Sequence, residues 1–210
     1  MPDDTEHTPE RLSAILRELG DKSDGHLRLG DVVERFGPRA LGALLFLFGL
    51  LNLIPWPPGG TTITGTPLLL ISAQVAFGAR TLWLPKAMLS RGLDAGTVQK
   101  GLKRILPRLE QAERVSKPRL AWLFGPVGDR LIGLTCTLLA MIIVLPIFGG
   151  NFLPAVAVSV LALSLVQRDG YMALVGYALV AVTAAVLFLV AGVIIDGFQR
   201  AWAWSAVRFR

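Results

Sequence analysis

The sequence predicts an all-α integral membrane protein, with two duplicated broken-helix hairpins, a final transmembrane helix and amphipathic surface helices. Three observations lead there. Residues 40–79, 131–167 and 170–195 contain no Asp, Glu, Lys or Arg, and each run exceeds the roughly 18 apolar residues that mark a membrane crossing. Proline and glycine interrupt the first two runs, at IPWPPGG (54–60) and LPIFGG (145–150). The segments following the interruptions align with each other without a gap. Composition agrees: 17% of the 210 residues are charged and 53% hydrophobic, with mean hydropathy +0.57, whereas a soluble domain averages about 25% and 45–50%.

Residues 1–38 form a polar N-terminal region. The first 30 carry seven acids and no apolar stretch of signal-peptide type, so the first apolar run is expected to act as its own insertion signal. TPERLSAILREL (8–19) reads as a short amphipathic helix, with Thr8 as N-cap, Pro9 at the first position, and Leu12, Ile15, Leu16 and Leu19 on one face. LGDVVERFG (29–37) is a second short candidate. Such helices lie on the membrane surface or pack on the protein.

Residues 39–79 form the first membrane hairpin. Its arms, 40–54 and 61–79, would be about 22 and 28 Å long as helices, against a hydrocarbon core of roughly 30 Å. The first arm is short for a full crossing. Residues 80–130 form a connector with eleven Lys/Arg and four Asp/Glu, which the positive-inside rule assigns to the cytoplasm. Within it, AGTVQKGLKRIL (95–106) sets Val98, Leu102 and Ile105 on one face, with Lys100, Lys103 and Arg104 away from it. Those three are candidate ligands for anionic lipid at the cytoplasmic face, at about 1 kcal/mol per basic residue; positive-inside bias alone accounts for them equally well.

Residues 131–169 form the second hairpin, 170–195 a last transmembrane helix, and 196–210 a basic tail. The five tryptophans, Trp56, Trp83, Trp122, Trp202 and Trp204, fall near ends or breaks of apolar runs, where amphipathic rings prefer to sit.

The duplication is read from TTITGTPLLLISAQVAFGAR (61–80) against NFLPAVAVSVLALSLVQRDG (151–170), which pairs Gly59 and Gly60 with Gly149 and Gly150, and Gln74 with Ser164. Each unit runs apolar arm, Pro/Gly break, apolar arm, charged edge. Two unrelated apolar hairpins would also need Pro/Gly turns. Since each hairpin returns to its starting side, residues 1–38 and 168–170 are expected in the cytoplasm and the tail outside. Arg200, Arg208 and Arg210 oppose that placement of the tail. Both hairpins entering from one side favours a parallel two-fold repeat over an inverted one.

The chemistry is sparse. Intramembrane ionisable groups mark proton relays and ion pathways, and the apolar runs contain none. That counts against a carboxylate-based proton antiporter and makes Asp129, Arg130, Arg168, Asp169 and Asp196 interfacial anchors or cap residues. The single cysteine, Cys136, excludes an intramolecular disulfide and a cysteine-rich metal site. His7 and His26 both lie in the polar N-terminal region. No serine–histidine–acid set or phosphate loop is present, and GTTITGT lacks a phosphate-binding lysine. No enzyme activity, cofactor or metal is expected. The net charge of +6 borders membrane segments, which suggests anionic lipid and not nucleic acid.

The candidate ligand-binding residues are Asn52, Thr61, Thr62, Thr64, Gln74 and Asn151. Irregular backbone cannot face lipid, so breaks inside the bilayer need such side chains to satisfy freed backbone groups or to bind a ligand. Ordinary interhelical hydrogen bonding, at about 0.6 kcal/mol each, is the simpler role.

GDVVERFG, NLIPWPPG, GPVGDRLIG, GNFLPA and QRDG, in that order, resemble the ExoD family of bacterial membrane proteins over about residues 29–195. The resemblance implies an inner-membrane location, a link to exopolysaccharide synthesis and tolerance of alkaline conditions. It carries no reaction and no catalytic residues. Two readings follow: a small transporter with a polar site where the broken hairpins meet, or a non-catalytic accessory protein working with polysaccharide synthesis proteins. A membrane enzyme is a third. The sequence fixes neither the oligomeric state nor the depth of the breaks.

Overall fold

The computed structural model describes residues 40–54, 60–79, 123–145 and 150–208, with Arg17, His26–Leu27, Trp83, Leu93–Asp94, Glu110 and Leu120 as isolated positions. Among them are five helices: α1 (Ala40–Leu51), α2 (Gly60–Ala76), α3 (Pro126–Val144), α4 (Phe152–Gln167) and α5 (Gly170–Arg208). A two-residue antiparallel bridge joins β1 (His26–Leu27) to β2 (Leu93–Asp94), with His26 opposite Asp94. The expected amphipathic helices at 8–19, 29–37 and 95–106, with Lys100, Lys103 and Arg104, lie outside the described residues.

α1 packs against α2 and α4, and α3 against the same two helices, so the four close into a ring; α5 lies outside it on α4. The sequence of α1, ALGALLFLFGLL, is apolar on every side, and a helix of that kind belongs in an interior. Eleven of its twelve residues are buried. Leu44, Leu45, Phe48, Ile71, Ile143, Val158 and Leu161 fill the core.

Glycine lets the helices meet closely. A Cβ on Gly49 of α1 would lie 2.7 Å from Ser159 Oγ on α4, and one on Gly133 of α3 would lie 2.3 Å from the Ala76 backbone nitrogen on α2. Close backbone approach at small residues is how apolar helices associate where burial gives no driving force.

The two return helices stop in the same way. Gly78 has φ +73, and the Ala79 N–H donates to Gln74 O at 2.9 Å. Arg168 has φ +52, and the Asp169 N–H donates to Ser164 O at 3.2 Å. Both are left-handed caps that return a bond to the carbonyl five residues back. Glycine takes that conformation without strain; arginine does not.

The helices differ from the sequence expectation at two places. The first arm is helical only to Leu51, because Asn52 and Leu53 already turn toward the proline-rich break. The last helix does not stop at Ile195 but continues to Arg208. Asp196 ends the apolar run, yet FQRAWAWSAVR contains no proline, glycine or asparagine to end a helix. By length and composition, α3 and Gly170–Gly197 are long and apolar enough to cross a membrane, while α1 and α4 are shorter apolar helices. Arg17 forms a salt bridge with Glu110, so, like the β1–β2 pair, it joins a described position of the N-terminal region to one of the connector.

Candidate functional site

Each break frees carbonyl groups at the end of the outgoing helix, where four C=O groups have no intrahelical partner. Turn N–H groups take up several, from Asn52 to Phe48 O, Leu53 to Leu50 O, Ile54 to Leu51 O and Leu145 to Ile142 O, and polar side chains bond to others or add a second bond. Asn52, 4% exposed, donates its Nδ2–H to Phe48 O at 2.8 Å. Its Oδ1 accepts from the Thr64 hydroxyl at 2.8 Å; the alternative acceptors for that hydroxyl, Gly60 O and Thr61 O, are farther at 3.3 and 3.5 Å. Thr62 reaches from the first hairpin to the second and donates to Val144 O at 3.1 Å. Asn151, 7% exposed, donates its Nδ2–H to Ile143 O at 3.0 Å and more weakly to Leu145 O at 3.4 Å. It stands at the N-terminus of α4 but makes no side-chain cap there; its amide serves the C-terminus of α3 instead.

The structure thus brings Asn52, Thr62, Thr64 and Asn151 to one end of the ring, with Thr61 beside them contributing its carbonyl. Gln74 is not with them. It lies ten residues beyond Thr64, about 15 Å along α2. There its Nε2 donates to Trp83 O at 2.8 Å and its Oε1 accepts from the Trp83 N–H at 2.6 Å. Gln74 fastens the chain that leaves α2.

One polar atom of the cluster is open. Asn151 Oδ1 is buried without a hydrogen-bond partner. The amide orientation is fixed, because turning it would set that oxygen against two carbonyls. In the first hairpin, Thr64 closes the corresponding acceptor on Asn52. Ninety residues on from Thr64 stands Pro154, which has no hydroxyl to offer.

Elsewhere the small polar residues bond to their own helices. Ser72 donates to Leu69 O, Thr137 to Gly133 O, Ser159 to Ala155 O, Ser164 to Leu161 O and Thr183 to Leu179 O. This leaves them no hydroxyl proton for a ligand. At the opposite end, Arg168 stands 3.9 Å from Asp129, and the Arg130 guanidinium packs over Gly78, where a Cβ would meet its Nε at 2.7 Å. No group of three or more His, Cys, Asp or Glu that could hold a metal occurs among the described residues.

Reading the sequence alone missed the close approaches at Gly49 and Gly133. A signal was available for one of them: Gly42 and Gly49 are seven residues apart, two helical turns, and so share a face. Both touch α4, at Val166 and Ser159.

A family model described as "Exopolysaccharide synthesis, ExoD" matches residues 12–189. The chain is 30% identical over 171 residues to Protein ExoD of Rhizobium meliloti, covering 79% of this chain and 70% of that protein. It is 29% identical over 164 residues to the Uncharacterized protein slr1875 of Synechocystis, covering 76% and 77%. No solved structure matches it.

Proposed function

The chain belongs to the ExoD family, which is linked to exopolysaccharide synthesis, and from that premise we propose that it is a multi-pass inner-membrane protein acting as a non-catalytic accessory to the polysaccharide machinery. The observation that carries this reading is the state of the polar residues. The amides of Asn52 and Asn151 and the hydroxyls of Thr62 and Thr64 bond to the protein's own backbone or to each other, save Asn151 Oδ1, and the buried hydroxyls of Ser72, Thr137, Ser159 and Ser164 between the breaks and the opposite end bond to their own helices. A solute path needs polar groups with free hydrogen-bonding capacity. The hairpins are therefore built to be sealed.

The bilayer reading has a gauge in α5. Its Gly176 packs against Leu161 of α4. Counting back along the antiparallel pair sets Val186 level with Asn151, about 24 Å along α5 from Gly170. Exposed apolar residues continue to Ile195, about 13 Å farther. If α5 spans the membrane, the breaks lie within the apolar slab and not at its far surface. That supports re-entrant hairpins and gives a reason for the side-chain donors at Ile143 O and Val144 O. The contacts of Arg17 with Glu110 and of β1 with β2 support the N-terminal region and the connector sharing one side, which the connector's basic charge makes cytoplasmic. The matching caps at Gly78 and Arg168, and the reciprocal packing of α1 on α4 and α3 on α2, support a parallel two-fold duplication.

A second reading, a small transporter, is favoured by one atom. Asn151 Oδ1 is an open acceptor suited to a ligand hydroxyl or amide N–H, while the helix N-terminus beside it disfavours a cation. Two experiments separate the readings. Crosslinking in native membranes followed by purification is expected to recover polysaccharide synthesis proteins with this chain. Flux of small ions or neutral solutes in proteoliposomes, lost in Asn151→Ala, would instead establish transport and defeat the accessory reading.

A further inference from the structure

On the outer face of the ring, between α2 and α3, runs an open groove. Its floor is Ala73 and Ala76, its wall Leu131 and Leu134, and Phe77, Val127 and Arg130 surround its mouth. The groove exists because Gly133 brings the two backbones together while the alanines leave the surface above them low. Thr137, at its inner end, has its hydroxyl turned to Gly133 O, so the lining is apolar along about 10 Å from Arg130 inward.

The mouth is positively charged. Arg130 is exposed, and among the described residues it has no hydrogen-bond or ion-pair partner. The neighbouring carboxylate, Asp129, faces Arg168 on the α4 side. Successive helix positions diverge by about 100°, which leaves Arg130 over Gly78 and the end of α2 with its charge uncompensated. A low apolar trough ending at one free guanidinium has the form of an amphiphile with an anionic head.

We propose that this groove seats an acyl chain of an anionic phospholipid, with the lipid phosphate held by the Arg130 guanidinium. The fork of donors matches two phosphate oxygens, and the chain covers the apolar floor. The inference rests on the bundle lying in a bilayer, with the α3 N-terminus at the headgroup level. It adds a defined lipid position that the family link does not supply.

The test uses the full chain, first reconstituted into phosphatidylcholine nanodiscs and then assayed by native mass spectrometry with phosphatidylglycerol and phosphatidylcholine in competition. Failure to insert into either lipid would remove the bilayer reading itself. Given insertion, the wild type is expected to retain one phosphatidylglycerol with a preference of about fivefold from a single interfacial charge. Arg130→Gln should abolish the preference, and Arg130→Lys should keep part of it. Ala73→Phe, which fills the groove and leaves the charge, should lower retention of both lipids. Equal retention by wild type and Arg130→Gln would overturn the proposal, as would unchanged retention in Ala73→Phe or crosslinking of the groove to protein in place of lipid.

Discussion

Replacing Gly133 with alanine tests the packing on which the hairpin arrangement depends. A Cβ built there lies 2.3 Å from the Ala76 backbone nitrogen, 2.6 Å from the Val75 carbonyl carbon and 2.8 Å from Ala76 Cα. These are backbone atoms of another helix, so no side chain can rotate away. Restoring ordinary contact near 3.4 Å requires α2 and α3 to part by about 1 Å, and a gap of that size already forfeits a quarter to a half of each dispersion contact across it. Overpacking costs about 1–3 kcal/mol, with this rigid site at the upper end. Alanine recovers about 1 kcal/mol of helix propensity over glycine, for a net loss of about 2 kcal/mol. Gly192→Ala is the matched control, since nothing lies within 4 Å of its Cβ position; it should be neutral or gain up to about 1 kcal/mol. Equilibrium unfolding in mixed micelles, followed by helical circular dichroism, should place the two variants about 3 kcal/mol apart. A Gly133→Ala protein as stable as Gly192→Ala would refute the close α2–α3 crossing.

Three further outcomes are expected. Asn52→Ala removes the side-chain link between Phe48 O and the Thr64 hydroxyl; Phe48 O keeps the backbone N–H of residue 52 at 3.2 Å and the hydroxyl can turn to Gly60 O at 3.3 Å, so the loss should be about 0.5–1 kcal/mol. Adding Thr64→Val should then cost almost nothing more, so additive losses in that double-mutant cycle would contradict the bond. Depth is read in a Cys136→Ser background, with single cysteines at Thr62, Asn151 and Gln199 probed by a membrane-impermeant maleimide. The first two should label only after denaturation and the third in the intact membrane; rapid labelling of Thr62→Cys and Asn151→Cys would make the breaks outer loops. Arg168→Gly relieves a left-handed φ of 52 and loses only a long, half-exposed ion pair with Asp129, so it should gain up to about 1 kcal/mol. A clear loss of stability would show that the ion pair outweighs the strain.

The helix positions were largely legible in the sequence, because they follow from one-dimensional signals. Charge-free runs set where α1 to α5 lie, and Pro/Gly clusters set where the first two runs divide. The apolar run placed the membrane-length part of α5, Gly170–Gly197, but not the end of the helix, because a charge limits an apolar run, whereas only a backbone breaker or missing partners stop a helix. For the site, residue type alone marked Asn52, Thr62, Thr64 and Asn151, since polar amides and hydroxyls beside a break have few uses other than freed backbone. Gln74 carried the same signal and proved to serve the other end of α2.

What the sequence by itself determined is a chain with three long uncharged runs, two of them broken, in the ExoD family. Only the tertiary structure decided the partners. The reach of Thr62 across to Val144, the closing of Asn52 by Thr64 and the opening left on Asn151 depend on which helices are neighbours. The same holds for the backbone approach at Gly133 and the placement of the Arg130 guanidinium over Gly78. Neighbourhood is set by side chains fitting together across separations of 12 to 82 residues along the chain, and no local pattern of apolarity encodes that fit.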